Sequence, residues 1–323
     1  MKKSIIKNLI KQIARKFGLE IIEQSNLNFE IKDNKKNKSI VIPLGKVELT
    51  RKVTDFLIIF RTNIDILIWD QNKNRIFEEK KIEYAKRSLI SIVRSLKFLY
   101  SKREDIKFKI MIVDNSNNQS GKNIFESILK KSNFNYEILS HNNEEYQNKI
   151  KFDKNLETFG NLSSLLKCYE TAKINTKDLI YFVEDDYLHE KECLIEMIET
   201  FERISSQLKK DIFVCPSDYP YLYSEINNTN ILSGSSRHWR TINTTLCTFL
   251  TSKDHLQKYW ENFYNTCISR NDPFEKYINE IYKQEICISP LKSLAVHMTN
   301  VNSSYGLSPY INYLKLWKEN ENV

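Results

Sequence analysis

A chain of 323 residues with a formal net charge of +8, 41% hydrophobic and 28% charged residues, can bury a substantial core, which excludes a small stapled scaffold and wholesale disorder. The charge sits at one end. Residues 1–52 carry 13 Lys or Arg against 5 Asp or Glu, a surplus of +8 that matches the whole chain, so the remainder is near neutral and no basic groove for nucleic acid is expected. Six cysteines, Cys168, Cys193, Cys215, Cys247, Cys267 and Cys287, stand 20 or more residues apart. No CxxC zinc or redox pair can be drawn from them, and they read as buried, reduced thiols.

In chain order, the first predicted element is a basic amphipathic helix. Ile5, Leu9, Ile13 and Phe17 recur every four residues beside Ile6 and Ile10, Lys7, Lys11, Arg15 and Lys16 interrupt the apolar positions, and Gly18 ends the pattern. Two readings stand: a helix packed on the main domain, or an interfacial helix on anionic lipid. No apolar run approaches the ~20 residues that span a bilayer, so the expected location is cytoplasmic, with peripheral contact at the inner membrane face the sharper alternative. Residues 24–52 read as a connector or small β appendage, closing an expected N-terminal unit of residues 1–52.

From residue 53, short continuous apolar runs alternate with helical stretches, the pattern of an α/β domain with a buried, mostly parallel sheet. Strands are predicted at Phe56–Phe60, Ile110–Val113, Tyr136–Leu139 and Leu179–Val183, then at 212–215, 247–250 and 287–296. Helices are predicted over 82–100, 162–172 and 190–208. The expected catalytic domain spans 53–305, followed by a C-terminal tail of 306–323.

Open α/β sheets bind ligands beyond the carboxyl ends of their strands, and those ends are polar here. The first strand runs into Arg61-Thr62-Asn63, the second into Asp114-Asn115-Ser116, and the fourth into Glu184-Asp185-Asp186. Three adjacent carboxylates after a buried run repel one another unless solvated or neutralised, and a hard divalent ion with oxygen ligands meets that need. A solvated strand-to-helix turn with one Asp as a cap is the alternative.

Phe182-Val183-Glu184-Asp185-Asp186-Tyr187 resembles the acidic, DxD or EDD motif of the GT-A glycosyltransferases. The resemblance extends over roughly 53–300 and implies a GT-A-like, Rossmann-type sheet flanked by helices. It implies a nucleotide-sugar donor, with a UDP-sugar the first guess, and Mn2+ or Mg2+ held by Glu184, Asp186 and His297. The same resemblance places Arg61, Thr62, Asp114, Asn161, Ser164, Asp185 and Arg240 around the nucleotide and diphosphate. Asp114 also has an ordinary reading as an Asx turn. Asp272, first, and Glu275, second, are the candidates for the base that deprotonates the acceptor hydroxyl, Asp272 having a plain N-cap alternative. Arg237-His238-Trp239-Arg240 reads as a loop, and Tyr219 or Tyr221 as a platform for a sugar ring.

The implied activity is hexosyl or N-acetylhexosaminyl transfer, inverting slightly favoured, to a glycan or lipid-linked glycan in surface polysaccharide synthesis. Two alternatives share the sheet: a sugar-1-phosphate nucleotidyltransferase and a silent carbohydrate-binding protein. The first needs a Gly-rich phosphate loop after its first strand, and residues 61–80 contain no Gly.

Overall fold

The computed structural model describes residues 2–19, 21, 47–65, 75–116, 118–151, 156–224, 228–298, 304–308 and 310–322. It divides into two compact units, Met1–Glu48 and Leu49–Val323. In the first, α1 (Lys2–Lys16) ends where Gly18 takes φ +72°, a left-handed conformation that glycine adopts without a Cβ clash. Its apolar side chains Ile6, Leu9, Ile10, Ile13 and Phe17 are exposed. Most of the predicted connector, at residues 22–46, lies outside the described residues.

The second unit begins with β1 (Asp55–Thr62), α2 (Lys81–Tyr100), β2 (Lys107–Asp114), α3 (Gln119–Ser132) and β3 (Tyr136–Ser140). It continues with α4 (Leu156–Asn175), β4 (Leu179–Glu184), β5 (Tyr187–His189), α5 (Cys193–Leu208), β6 (Phe213–Val214), β7 (Ile231–Ser233), β8 (His238–Ile242) and β9 (Phe249–Ser252). The last elements are α6 (Lys253–Lys258), α7 (Trp260–Cys267), α8 (Lys276–Ile281), β10 (Cys287–Pro290), β11 (Ala295–His297) and α9 (Tyr313–Glu319).

Nine strands form one sheet in the order β3-β2-β1-β4-β9-β6-β10-β8-β7, in which only β9 and β8 run against the rest. The sheet is therefore mostly parallel in direction and flanked by helices. β1, β2 and β4 are apolar on both faces because both are covered: Leu89, Ile92, Val93 and Leu96 of α2 are wholly buried, and Tyr169 of α4 meets Phe182 of β4 edge-on at 5.0 Å. All six cysteines are buried and free, as their spacing implies.

A second sheet of two strands, β11 and β5, pairs Ala295 with His189, Val296 with Leu188 and His297 with Tyr187. Its own small core gathers Tyr84, Leu188, Val296, Met298 and Leu316. Trp317 of α9 stacks on Phe77 at 4.3 Å and takes the Arg87 guanidinium on its ring at 4.4 Å.

Two sequence readings change. The apolar stretch 287–296 is two strands in different sheets: Lys292, at φ 81°, turns the chain out of β10 and into β11. Arg237–Arg240 is not a loop, since residues 238–240 open β8, where Trp239 is fully buried and donates through Nε1 to Glu196 Oε1 at 3.1 Å. Gly234, in the β7–β8 turn, permits that burial, because a Cβ there would overlap Trp239 Nε1 and Cδ1 and Thr200 Oγ1. Gly234→Ala should destabilise the fold by about 1–3 kcal/mol through overpacking, read as a lowered urea midpoint at unchanged slope.

Candidate functional site

The parallel ladder places the polar strand ends side by side. Register pairs Thr62 of β1 with Asp114 of β2, Asp114 with Ser140 of β3, and Arg61 of β1 with Glu184 of β4. Directly paired residues on adjacent strands project to the same face, so Arg61 and Glu184 form an ion pair. Arg61 also donates to the Asn161 carbonyl at 3.2 Å, to Asn161 Oδ1 at 2.5 Å and to Ser164 Oγ at 3.4 Å. Four residues expected at the nucleotide or metal are therefore one network, in which Glu184 is held by a guanidinium rather than gathered with Asp186 and His297.

Asp185 turns the other way and is buried. Its Oδ2 accepts from Thr62 Oγ1 at 2.8 Å and from the Asn63 backbone N–H at 3.2 Å, while Lys81 Nζ donates to Oδ1 at 2.5 Å. Both oxygens are committed to the protein, which leaves Asp185 a scaffold for its neighbours.

Asp186 meets His297 because β11 pairs with β5 just beyond it, and the Met298 N–H donates to the Asp186 carbonyl at 2.7 Å. His297 Nε2 lies 3.2 Å from Asp186 Oδ2, and its Nδ1 faces the Tyr305 carbonyl at 2.8 Å. A carbonyl only accepts, so Nδ1 carries a proton and donates, which aims Nε2 at Asp186. Burial opposes charge at Asp186, but the charges of His297 and Lys81 more than offset it and hold the carboxyl below its usual range. For His297, burial pulls the pKa down and the Asp186 carboxylate raises it further, for a net rise.

The fit to a divalent ion rests on Asp186 Oδ1, which is buried and has no hydrogen-bond partner among the described residues. An orphaned carboxylate oxygen beside an oriented imidazole, whose Nε2 would give up its proton to a bound ion, is a donor set for Mn2+ or Mg2+. Among the described residues no three His, Cys, Asp or Glu side chains converge on one metal position. Two protein ligands suffice where substrate phosphates supply others.

At the end of β2, Asp114 is fully buried. Its Oδ1 accepts the Ser116 N–H at 2.9 Å, closing an Asx turn, while its Oδ2 and Ser116 Oγ have no partner among the described residues. Burial raises its pKa, against the opposing effect of the Ser116 N–H.

Asp272 and Glu275 part company. Asp272 is exposed and does not cap α8, whose N-cap position is Glu275 with no side-chain capping bond. Glu275 is partly buried, with its Oε1 3.8 Å from Cys247 Sγ. Burial first, then the negative charge of Glu184, push its pKa up to about 7, while the charge of His297 works against them. Arg240, expected at the diphosphate, is bound to Asp218 at 2.6 Å and lies over the Tyr223 ring at 4.2 Å, on a strand four places along the sheet from β4.

Sequence reasoning missed Lys81, a lysine opening a helix with nothing around it to mark it, and the aromatic surroundings of His297. Tyr187 stacks on the His297 ring at 4.6 Å with 10° between planes, and its hydroxyl bonds that of Tyr219 at 2.7 Å. Tyr219 stacks on Tyr221 at 5.5 Å, Tyr221 meets Tyr305 at 5.0 Å, and the Tyr221 N–H donates to the Ser304 carbonyl at 3.0 Å. The run Tyr219-Pro220-Tyr221 is a visible signal in the sequence; its closure through Tyr305 is not.

The sheet order, the acidic turn at the end of β4 and the histidine that closes on it define an α/β fold with a polar cluster at the carboxyl ends of its parallel strands. No family model matches the chain, and no curated protein matches it. Among solved structures it is similar to the galactosyltransferase LgtC in complex with donor and acceptor sugar analogues, at TM-score 0.36 and 11% identity over 70% of this chain and 70% of that one. It is similar to GalNAc-T7 with UDP, GalNAc and Mn2+, at TM-score 0.45 and 10% identity over 84% of this chain and 50% of that one. It is also similar to a UDP-glucose pyrophosphorylase complexed with UDP-glucose, at TM-score 0.39 and 10% identity over 84% and 97%.

The Glu275 environment sets a pH test. A carboxyl raised to about 7 from an unfolded value near 4.3 binds its proton more tightly when folded, so its contribution is full below the unfolded pKa and is lost as pH rises through about 7. Glu275→Gln should therefore gain stability relative to the native chain between pH 5 and pH 8, measured by urea denaturation. Parallel stability curves would show that Glu275 ionises as in water.

Proposed function

We propose that this chain is a metal-dependent glycosyltransferase that moves a sugar from a nucleotide-sugar diphosphate, a UDP-sugar as first choice, to a glycan or lipid-linked glycan acceptor in surface polysaccharide synthesis. The observation that carries the reading is the orphaned, buried Asp186 Oδ1 beside His297 at the carboxyl end of β4. Asp186 and His297 would hold Mn2+ or Mg2+, whose charge, when the ion is bound, stabilises the negative charge that develops on the departing diphosphate. Asp114 Oδ2 offers a buried acceptor to a nucleobase N–H. Arg61 holds Glu184, Asn161 and Ser164 in one piece beneath the nucleotide.

Glu275 is the better base. A group poised near 7 is partly ionised at neutral pH yet basic enough to take a proton from a hydroxyl. Asp272 is exposed to water and is assigned to the acceptor side. Base catalysis by Glu275 on an attacking acceptor hydroxyl corresponds to a single, inverting displacement.

The reading is tested with UDP-, GDP-, CMP- and dTDP-sugars in MnCl2 and in MgCl2, following release of free nucleotide. One donor should turn over, with release of the nucleoside diphosphate (or, for a CMP-sugar, of CMP), whereas a nucleotidyltransferase would consume the sugar nucleotide only with added pyrophosphate and would give the nucleoside triphosphate and a sugar 1-phosphate. Asp186→Ala should lower that rate by about 100-fold or more with the melting temperature little changed. A variant that keeps near-native turnover would falsify the metal assignment.

The exposed stripe of α1 supports peripheral attachment at an anionic membrane face. Six Lys or Arg precede Gly18 with no acid among them, and each basic residue near an anionic leaflet contributes about 1 kcal/mol. Among the described residues no helix is long and apolar enough to cross a membrane. The full chain should co-sediment with vesicles containing anionic lipid, less so as salt is raised, and not with neutral vesicles. Ile10→Glu with Ile13→Glu should abolish the binding; equal sedimentation with both vesicle types counts against the anchor.

A further inference from the structure

The three acids that follow β4 each have a cation of their own, and the three cations differ in what they have left to give. Arg61 spends its guanidinium on Glu184, Asn161 and Ser164. His297 spends one nitrogen on Tyr305 and points the other at Asp186. Lys81 has one hydrogen-bond partner among the described residues, Asp185 Oδ1 at 2.5 Å, and an ammonium group carries three donors. Its side chain retains 19% of its surface, against 14% for Arg61 and 12% for His297.

What Lys81 faces is fixed by Asp185. That carboxylate is pinned from the opposite side by Thr62 Oγ1 and the Asn63 N–H, so the lysine it holds is pinned as well. Burial pulls the Lys81 pKa down, but the charge of Asp185 and then that of Asp186 raise it above the ordinary value. The ammonium thus stays charged, and it lies within the field of the residue that offers its orphaned oxygen to the divalent ion.

We propose that Lys81 is a protein-borne cation of the diphosphate site, donating its remaining N–H groups to phosphate oxygens beside Asp186. This rests on the donor reading above. Asp185, whose oxygens are both committed, then acts as the positioning residue for Lys81 and does not itself contact the nucleotide. A fixed ammonium here neutralises part of the diphosphate charge whether or not a metal ion is present, and charge-assisted contacts to phosphate are among the stronger hydrogen bonds a protein makes.

The test uses inorganic pyrophosphate as probe and the full chain, titrated calorimetrically in EDTA and in MgCl2. The native protein should bind in both buffers, more tightly with Mg2+. Lys81→Met should weaken the EDTA affinity about tenfold or more, and Lys81→Arg should restore it to within a few-fold. Removing the lysine alone leaves Asp185 unpaired, so Lys81→Met is also made together with Asp185→Asn, which keeps the site neutral and the chain folded. Weak pyrophosphate binding by that folded pair supports the proposal, and native-like binding by either methionine variant overturns it. A native protein that binds no pyrophosphate in either buffer overturns the donor reading along with it.

Discussion

Three carboxylates in succession at the end of a buried strand set the terms for the rest of this structure. Two like charges 4 Å apart repel by about 4 kcal/mol at an effective dielectric of about 20, so Glu184, Asp185 and Asp186 each require compensation. Each finds it on a different element: Arg61 on β1, Lys81 at the start of α2 and His297 on β11. The strand-end cluster therefore joins the first strand of the sheet to a segment more than 200 residues later. The two-stranded sheet of β5 and β11 brings His297 to that meeting. Replacing one cation would leave a partly buried charge alone, which is far more costly than losing a surface pair.

Against this background of satisfied pairs, the unsatisfied atoms stand out. Among the described residues fourteen buried side-chain atoms lack a hydrogen-bond partner, and three of them, Asp186 Oδ1, Asp114 Oδ2 and Ser116 Oγ, lie at or just past the carboxyl ends of parallel strands, where an open α/β sheet receives ligands. Buried polar groups are rarely left unpaired. Glu275 is unusual in a second way: burial first, and then the like charge of Glu184, raise its pKa, and the charge of His297 does not offset them.

Much of this was legible beforehand. Runs such as Phe56–Phe60 and Leu179–Val183, short and uniformly apolar, read as strands buried on both faces, and the acids that follow the second are conspicuous. The partners were less so. Glu184 was grouped with the metal because it is adjacent to Asp186 in sequence, whereas the parallel register sets it beside Arg61. Asp272 and Glu275 look alike on paper, and only burial separates an exposed acid from one held near 7. Lys81 was invisible because its role depends on where α2 begins relative to β4, a tertiary relation that no local pattern encodes. The split at Lys292 was likewise hidden, since the apolar run continues through a change of sheet.

The aromatic path around His297 is a closed circuit: imidazole on Tyr187, hydroxyl to Tyr219, ring to Tyr221, ring to Tyr305, and the Tyr305 carbonyl back to the imidazole. A chain of contacts with a free end relaxes when one link shifts, but a loop has no free end, so each member is held from two directions. Tyr305 is tied to the histidine by its backbone and to Tyr221 by its side chain, and thus works as a lever with two arms. Whatever loads the half-exposed Tyr305 ring also loads the carbonyl that orients His297, and by the symmetry of any such linkage the firmness of the imidazole is returned to the ring.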